Sequence, residues 1–218
     1  MSWQHDEFHG LPYRALLPLH YAPHERRYPL VLFLHGSAER GRDNHAQLKN
    51  GIGAFARDAV RTRFPCIVVA PQAPSGGSFG GQWYQGQRAT QDLVLGLVDE
   101  LAGRRSVDPS RLYLTGLSMG AIGGWEMLAR APTRFAAAAL VCGEPNPSQV
   151  DAITTPLWAF HGLRDDVVPP GPAIAACERL RARGLEAPFT GYAELAHESW
   201  ELAFHEPSLP DWLFSHHR

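Results

Sequence analysis

Ser118 lies between Gly116 and Gly120 in a Gly-x-Ser-x-Gly pattern. Apolar residues alternate before the pattern in RLYLTG, and a helix-forming segment, AIGGWEMLAR, follows it. A serine at the tip of a sharp strand-to-helix turn presents its hydroxyl as a nucleophile, and small residues two positions away let the strand and the helix approach each other. The alternative is an ordinary serine N-cap at the start of a helix.

A serine hydroxyl is a weak nucleophile at neutral pH and needs a base, which an acid must orient. The segment LRDDVVPP follows TPLWAFHG, and AELAHESW follows APFTGY, so an acid and then a histidine come after Ser118. Asp165 and Asp166 also suit a simple turn. The order Ser, Asp, His nevertheless predicts a triad of Ser118, Asp165 and His197. The residues alone do not separate Asp165 from Asp166.

The elements that must position these side chains belong to an α/β fold. Residues 44–58, 88–102, 119–130 and 172–183 are predicted helices. Between them lie segments that are apolar on both faces, as in parallel strands covered by helices. These segments are YPLVLFLHG, FPCIVVAPQ, RLYLTG, FAAAALVCG and TPLWAFHG. LPYRALLP predicts an antiparallel edge strand, and APFTGY predicts a last parallel strand. We therefore expect one domain over 1–218 with a doubly wound, mostly parallel sheet and no lid domain.

The charge and composition of the chain limit the classes of binding partner that we expect. The 218 residues carry a formal net charge of −2, which gives no electrostatic reason to expect nucleic acid or an anionic membrane as a partner. The segment MSWQHDEFHG lacks the apolar run of a signal peptide, so we expect a cytoplasmic protein. As a separate expectation, the protein is a monomer or a homodimer. Cys66, Cys142 and Cys177 are predicted to be buried free thiols. His35 and His161 each precede a glycine without a metal-ligand spacing, so we expect no metal and no cofactor.

Five segments, in this order, resemble the α/β-hydrolase superfamily, specifically its small lidless carboxylesterase/phospholipase-like and dienelactone-hydrolase-like branch. They are LFLHGSAERGRDN, VVAPQAP, LTGLSMGAIGGWEML, WAFHGLRDDVVP and AHESW, and the resemblance spans nearly the whole chain. It implies that a His-Gly-x-x-Asp-x-x-Val-Pro element carries the triad acid. Gly162, Asp165, Val168 and Pro169 match that element, so the resemblance favours Asp165 over Asp166.

The resemblance also implies an oxyanion hole, a pair of backbone N–H groups that bind the negative oxygen formed in acyl transfer. These groups belong to Ser37 and Met119. Relatives with the Glu-Arg-Gly extension have glycine where this chain has Ala38, a departure that leaves the N–H group in place. The implied activity is that of a serine carboxylesterase acting on a small-molecule ester, of the short-chain, aryl or acetylated-carbohydrate type, through an acyl-enzyme. The alternatives are a small serine peptidase with the same triad and a non-catalytic binding protein on the same scaffold.

Loop residues after the strand ends are the candidates for substrate contact. EPNPSQVDAIT is too short for a helical lid, which favours an open cleft. Trp125 is expected in the core and Tyr84 beside the cleft. Glu39 and Arg40 have an alternative role as an ion pair that shapes the oxyanion loop. The predicted substrate-binding residues are Glu39, Arg40, Gln72, Trp83 and Trp200.

Overall fold

The computed structural model describes residues 3–79, 88–104 and 106–218. The described strands are β1 (Gln4–Phe8), β2 (Leu11–Leu16), β3 (Tyr28–Leu34), β4 (Ile67–Pro71), β5 (Val107–Leu117), β6 (Ala137–Val141), β7 (Leu157–Gly162) and β8 (Phe189–Tyr192). They form a single sheet in the order β1-β2-β4-β3-β5-β6-β7-β8. All neighbours from β4 to β8 pair in parallel, which confirms the predicted fold class.

The antiparallel end of the sheet differs from the prediction. LPYRALLP forms β2, which pairs antiparallel with β4 as expected, but β1 pairs with its other side and is the true edge strand. The prediction that β2 is the edge is therefore wrong. The segment QHDEF of β1 has mostly exposed polar side chains and lacks the apolar alternation by which a strand is recognised in a sequence.

The described helices are α1 (Gly53–Ala56), α2 (Asp58–Arg63), α3 (Arg88–Arg104), α4 (Met119–Arg130), α5 (Gly171–Ala182), α6 (Trp200–Phe204) and α7 (Leu209–Ser215). Three of the four predicted helices are confirmed as α3, α4 and α5. The predicted helix 44–58 is wrong, because a short 3-10 turn and α1 share this segment. Gly51 has a φ of 69°, and Arg57 is extended with a ψ of 135°. Both interrupt a continuous helix.

The core lies on both faces of the sheet. On β3, Leu30, Leu32 and Leu34 pack into one apolar cluster together with Trp125 of α4. Val31 and Phe33 point the other way, into the second cluster. Because successive side chains of a strand alternate in direction, a strand buried on both faces must be apolar at every position.

The carboxyl ends of the parallel strands lie along one side of the sheet, which we call the rim. His35 follows β3, Ser118 follows β5, and Asp165 follows β7 by a short turn. His197 comes after β8, between that strand and α6. The fold therefore brings four polar residues, distant in sequence, to one rim.

Candidate active site

Ser118 lies at the corner between β5 and α4 with a φ of 49° and a ψ of −120°. A positive φ is unfavourable for a residue with a side chain and persists only where the surroundings enforce it. The two glycines explain how the corner is possible. A Cβ atom on Gly120 would lie 2.0 Å from the carbonyl oxygen of Leu34, and one on Gly116 would lie 2.8 Å from the carbonyl carbon of Gly120. Only glycine permits this approach of helix to strand.

The hydroxyl of Ser118 does not cap α4, so the N-cap interpretation is wrong. Its Oγ lies 2.9 Å from Nε2 of His197. The Ser118 N–H donates to the carbonyl of Val141 at 2.9 Å, which ties the corner to β6. The serine is thus held by its backbone, while its side chain faces the imidazole.

His197 is oriented through its other ring nitrogen. Nδ1 lies 2.8 Å from Oδ2 of Asp165. Because the pKa of the Asp165 carboxyl lies below its usual range, this oxygen accepts the bond, so Nδ1 carries the proton and Nε2 is left to accept from the hydroxyl of Ser118. The loop reaches this position because Gly162 has no side chain. A Cβ there would lie 2.0 Å from the carbonyl oxygen of Ala196, the residue before His197.

Asp165 is buried, with a side chain that has no exposed surface. Its Oδ1 accepts the backbone N–H groups of Val167 at 3.0 Å and Val168 at 2.9 Å. Burial raises the pKa of the carboxyl, but the hydrogen bond from His197 and the two amides outweigh it, so the pKa lies below its usual range. Asp166 is exposed. The structure therefore separates the two neighbours and places Asp165 on the histidine.

A second histidine that the sequence analysis did not assign to the site also reaches this carboxylate. Nε2 of His161 lies 3.1 Å from Oδ2 of Asp165. The signal in the sequence was its position four residues before Asp165, at the start of the His-Gly-x-x-Asp element. The sequence alone predicted no metal-binding role for His161 and gave it no other role.

The loop after β3 runs beside the serine. A Cβ on Gly36 would lie 3.7 Å from Cβ of Ser118. Ser37 begins a 3-10 turn and Met119 begins α4, so neither N–H has a carbonyl partner within its own helix. Both N–H groups belong to the rim where the sequence predicts an oxyanion hole.

His35 fixes the start of this loop. Its Nδ1–H donates to the carbonyl of Gly36 at 2.6 Å, and its Nε2 accepts the N–H of Ala73 at 3.0 Å. Burial lowers the pKa of His35 to about 4, against an ordinary value of 6.5. The ring is therefore neutral and links the loops after β3 and β4.

Two of the predicted substrate-binding side chains are buried. Gln72 has no exposed surface, and its amide accepts the N–H of Asn44 at 2.7 Å while donating to the carbonyl of Glu39 at 3.0 Å. Glu39 is only 2% exposed and accepts a hydrogen bond from Asn50 at 2.7 Å. Because burial removes both side chains from any substrate, the prediction of direct contact is wrong for them. They shape the loop instead.

The remaining candidates have different surroundings. Arg40 is partly exposed and donates to the carbonyls of Gly77 at 2.6 Å and Ser37 at 3.4 Å. Trp200 is half-buried, with its ring edge-on to His197 at a centroid distance of 5.9 Å. Trp125 is 1% exposed and belongs to the core, as predicted. Trp83 and Tyr84 lie outside the described residues.

Cys66, Cys142 and Cys177 are buried and form no disulfide, as predicted. Burial raises the pKa of the Cys66 and Cys177 thiols to about 12. Within residues 3–79, 88–104 and 106–218, no group of three or more His, Cys, Asp or Glu side chains is arranged so that it could hold a metal ion. In the same part of the chain, every helix is too short or too polar to cross a bilayer.

Residues 11–166 match the model of the Esterase family, described as "Putative esterase". The chain belongs to this family. It is also similar to a crystal structure of a thermostable esterase, with 30% identity and a TM-score of 0.90 over 100% of this chain and 63% of that one. Family and structural match together identify the α/β-hydrolase fold.

Two curated relatives are also similar. Poly(3-hydroxyalkanoate) depolymerase C of Paucimonas lemoignei is 32% identical over 54% of this chain and 28% of its own length. A probable carboxylesterase of Oryza sativa subsp. japonica is 25% identical over 78% of this chain and 81% of its own. The chain thus spans about a quarter of the depolymerase and most of the carboxylesterase.

Proposed function

We propose that this protein is a carboxylic ester hydrolase with Ser118 as nucleophile, His197 as general base and acid, and Asp165 as the orienting carboxylate. The observation that carries the proposal is the chain of two hydrogen bonds, 2.9 Å from Ser118 Oγ to His197 Nε2 and 2.8 Å from His197 Nδ1 to Asp165 Oδ2. A serine at a strained corner with such a base is the arrangement that acyl transfer requires.

The proposed reaction has two halves. His197 Nε2 takes the proton of Ser118 as Oγ bonds to the ester carbonyl carbon, and the N–H groups of Ser37 and Met119 bind the resulting oxyanion. The imidazolium then gives its proton to the departing alcohol, which leaves an acyl-enzyme on Ser118. In the second half, water attacks the acyl carbon while His197 Nε2 takes its proton. The imidazolium then returns this proton to Ser118 Oγ as the acyl–Oγ bond breaks and the carboxylic acid departs. Asp165 stabilises the imidazolium in both halves.

The proposed substrates are short-chain, aryl or acetylated-carbohydrate esters, free or attached to a polymer. Support comes from the connection between β6 and β7, whose only helical segment is the 3-10 turn Val150–Ala152, too short for a lid. The similarity to a polyester depolymerase supports ester bonds in a polymer. A single domain over 1–218, a cytoplasmic location and a monomeric or homodimeric state stay predictions.

The test is a hydrolysis panel that varies acyl length and alcohol type, from p-nitrophenyl acetate to acetylated sugars, beside a panel of peptide anilides. We expect the esters to be cleaved and Ser118→Ala to lower turnover by roughly 10⁵-fold or more. Ser208→Ala, at an exposed serine, is the matched control and should keep full activity.

Labelling with a fluorophosphonate probe completes the test, because the probe reacts only with an activated serine. Wild-type protein that remains unlabelled would point to the non-catalytic alternative. Efficient cleavage of the peptide anilides, with slow cleavage of unactivated esters, would point to the peptidase.

A further inference from the structure

His161 is the last residue but one of β7 and is 1% exposed. Its Nε2 has two neighbours, Oδ2 of Asp165 at 3.1 Å and the carbonyl oxygen of Val168 at 2.9 Å. Both neighbours are acceptors, and a hydrogen bond needs one donor. Nε2 of His161 therefore carries the proton and shares it between the two oxygens.

The ring of His161 is neutral. Burial lowers its pKa, and the nearby Asp165 only partly offsets that effect. In the described part of the chain, this cluster also faces His197 and the buried thiol of Cys142, whose pKa burial raises. His161 therefore presents an N–H dipole to the carboxylate and adds no positive charge.

Two imidazole N–H groups meet on one carboxylate oxygen. Oδ2 of Asp165 accepts from His197 at 2.8 Å and from His161 at 3.1 Å, while Oδ1 accepts the two amides of Val167 and Val168. Four hydrogen bonds from four groups fix the rotation of the carboxylate about the Cβ–Cγ bond of Asp165. The bond from His161 also draws charge from the same oxygen that stabilises a protonated His197.

We propose that His161 is a positioning residue for the Asp165–His197 pair, an inference that rests on the proposed function. It holds Oδ2 on the line to Nδ1 of His197 and limits how strongly Asp165 favours the protonated imidazole. A base that binds its proton too tightly is a poor base at neutral pH, because less of it is free to accept the proton of serine.

Loss of the His161 N–H has two consequences. The carboxylate gains freedom to rotate, which misaligns His197 and lowers kcat. More charge stays on Oδ2, which stabilises protonated His197 and moves the acid limb of the kcat/KM profile to higher pH. KM changes little, because His161 is buried beneath the carboxylate and acts only through it.

Two variants separate the donor from the bulk of the ring. His161→Met introduces an apolar side chain of similar volume that has no donor, and His161→Gln places an amide N–H near the position of Nε2. For His161→Met we expect kcat to fall roughly 10- to 100-fold and the acid limb to rise by about 0.5 pH unit. His161→Gln should recover most of kcat and the wild-type limb. A wild-type profile in His161→Met, or no rescue by His161→Gln, would overturn the proposal.

A spectroscopic measurement keeps this inference separate from the proposed activity. The Nδ1 proton of His197, held on a carboxylate, gives a downfield resonance in the proton NMR spectrum, which is recorded in Ser118→Ala without turnover. Adding His161→Met should shift this resonance, while adding His161→Gln should preserve it. If His161→Met fails to fold, His161→Asn, whose amide is one methylene shorter, takes its place.

Failure of the proposed function and failure of the proposed role of His161 therefore give different experimental results. A chain that cleaves no ester but whose His197 resonance responds to His161→Met disproves the proposed function and retains the positioning contact. A chain that cleaves esters with a resonance indifferent to both variants disproves the role of His161.

Discussion

Two buried polar networks flank Ser118 at the same rim of the sheet, and they are built from different chemistry. The amide network consists of Asn44, Gln72, Glu39 and Asn50, in which side-chain amides bind backbone groups and one carboxylate in the loops after β3 and β4. The carboxylate network consists of Asp165, His161 and His197, in which two imidazoles bind one acid.

The difference follows from what each side has to supply. In the proposed mechanism, binding the oxyanion needs N–H dipoles held in fixed positions, and no proton moves there. The side-chain amides of Asn50 and Gln72 hold these loops without titrating themselves, and the network also contains the carboxylate of Glu39. Proton transfer needs groups that gain and lose charge, which only titratable side chains provide. Ser118 lies between the amide network and the carboxylate network.

The largest expected effect comes from breaking the carboxylate network. Asp165→Asn should lower kcat by roughly 10⁴-fold, because the amide can donate to Nδ1 of His197 and so favours the wrong tautomer. Steady-state kinetics on an activated ester measure this loss. Asp166→Asn, at the exposed neighbour, is the matched control, and equal damage from both substitutions would contradict the assignment.

The next largest effect is expected from a substitution at the turn between β5 and α4, which carries Ser118. A Cβ on Gly120 would lie 2.0 Å from the oxygen of Leu34, so Gly120→Ala should lower the free energy of unfolding by about 3 kcal/mol or more. Denaturant titration gives the value. Gly103→Ala is the control, since a Cβ there meets nothing within 4 Å, and it should be neutral or slightly stabilising.

Low pH should lower the free energy of unfolding through His35, which links the loops after β3 and β4. Its pKa is about 4 in the folded protein and 6.5 ordinarily, so between these values the unfolded chain binds a proton that the folded chain does not. This contribution is complete above about pH 6.5 and is lost as the pH falls towards 4, by about 3 kcal/mol in total. In His35→Gln, the free energy of unfolding should depend less on pH across this range than it does in the wild-type protein. The wild-type dependence should persist in His20→Gln, where the histidine is exposed.

The smallest effect on catalysis is expected in the amide network. Gln72→Ala leaves the N–H of Asn44 and the carbonyl of Glu39 without their partner, which should cost about 2 kcal/mol of stability. Activity should fall by no more than about tenfold, since the backbone N–H groups remain. Thermal unfolding and kinetics on one ester, with the partly exposed Gln149→Ala as control, measure both. A loss as large as that of Asp165→Asn would erase the distinction between the networks.

At this rim, the sequence does not show which polar side chains are buried. Gln72 and Glu39 follow strand ends and are polar, which is the usual sign of a substrate-binding residue in an α/β sheet. Their sequence positions do not reveal that both side chains turn inward. The amide network forms from residues far apart in the chain, and only the packing of two loops decides whether such a side chain meets another loop or the cleft.

The sequence by itself determined the parallel strands, three of the helices, the glycine-flanked corner and the order of Ser118, Asp165 and His197, because periodicity and close approach leave local signatures. The tertiary structure alone decided the extra edge strand β1 and the break in the helix predicted at 44–58. It also showed that Asp165, which the family resemblance favoured over Asp166, is hydrogen-bonded to His197, and it revealed the contact of His161 with the acid. These features depend on which distant groups meet. A hydrogen bond between side chains requires a match of distance and direction, which the fold imposes and which residue types at a given spacing do not encode.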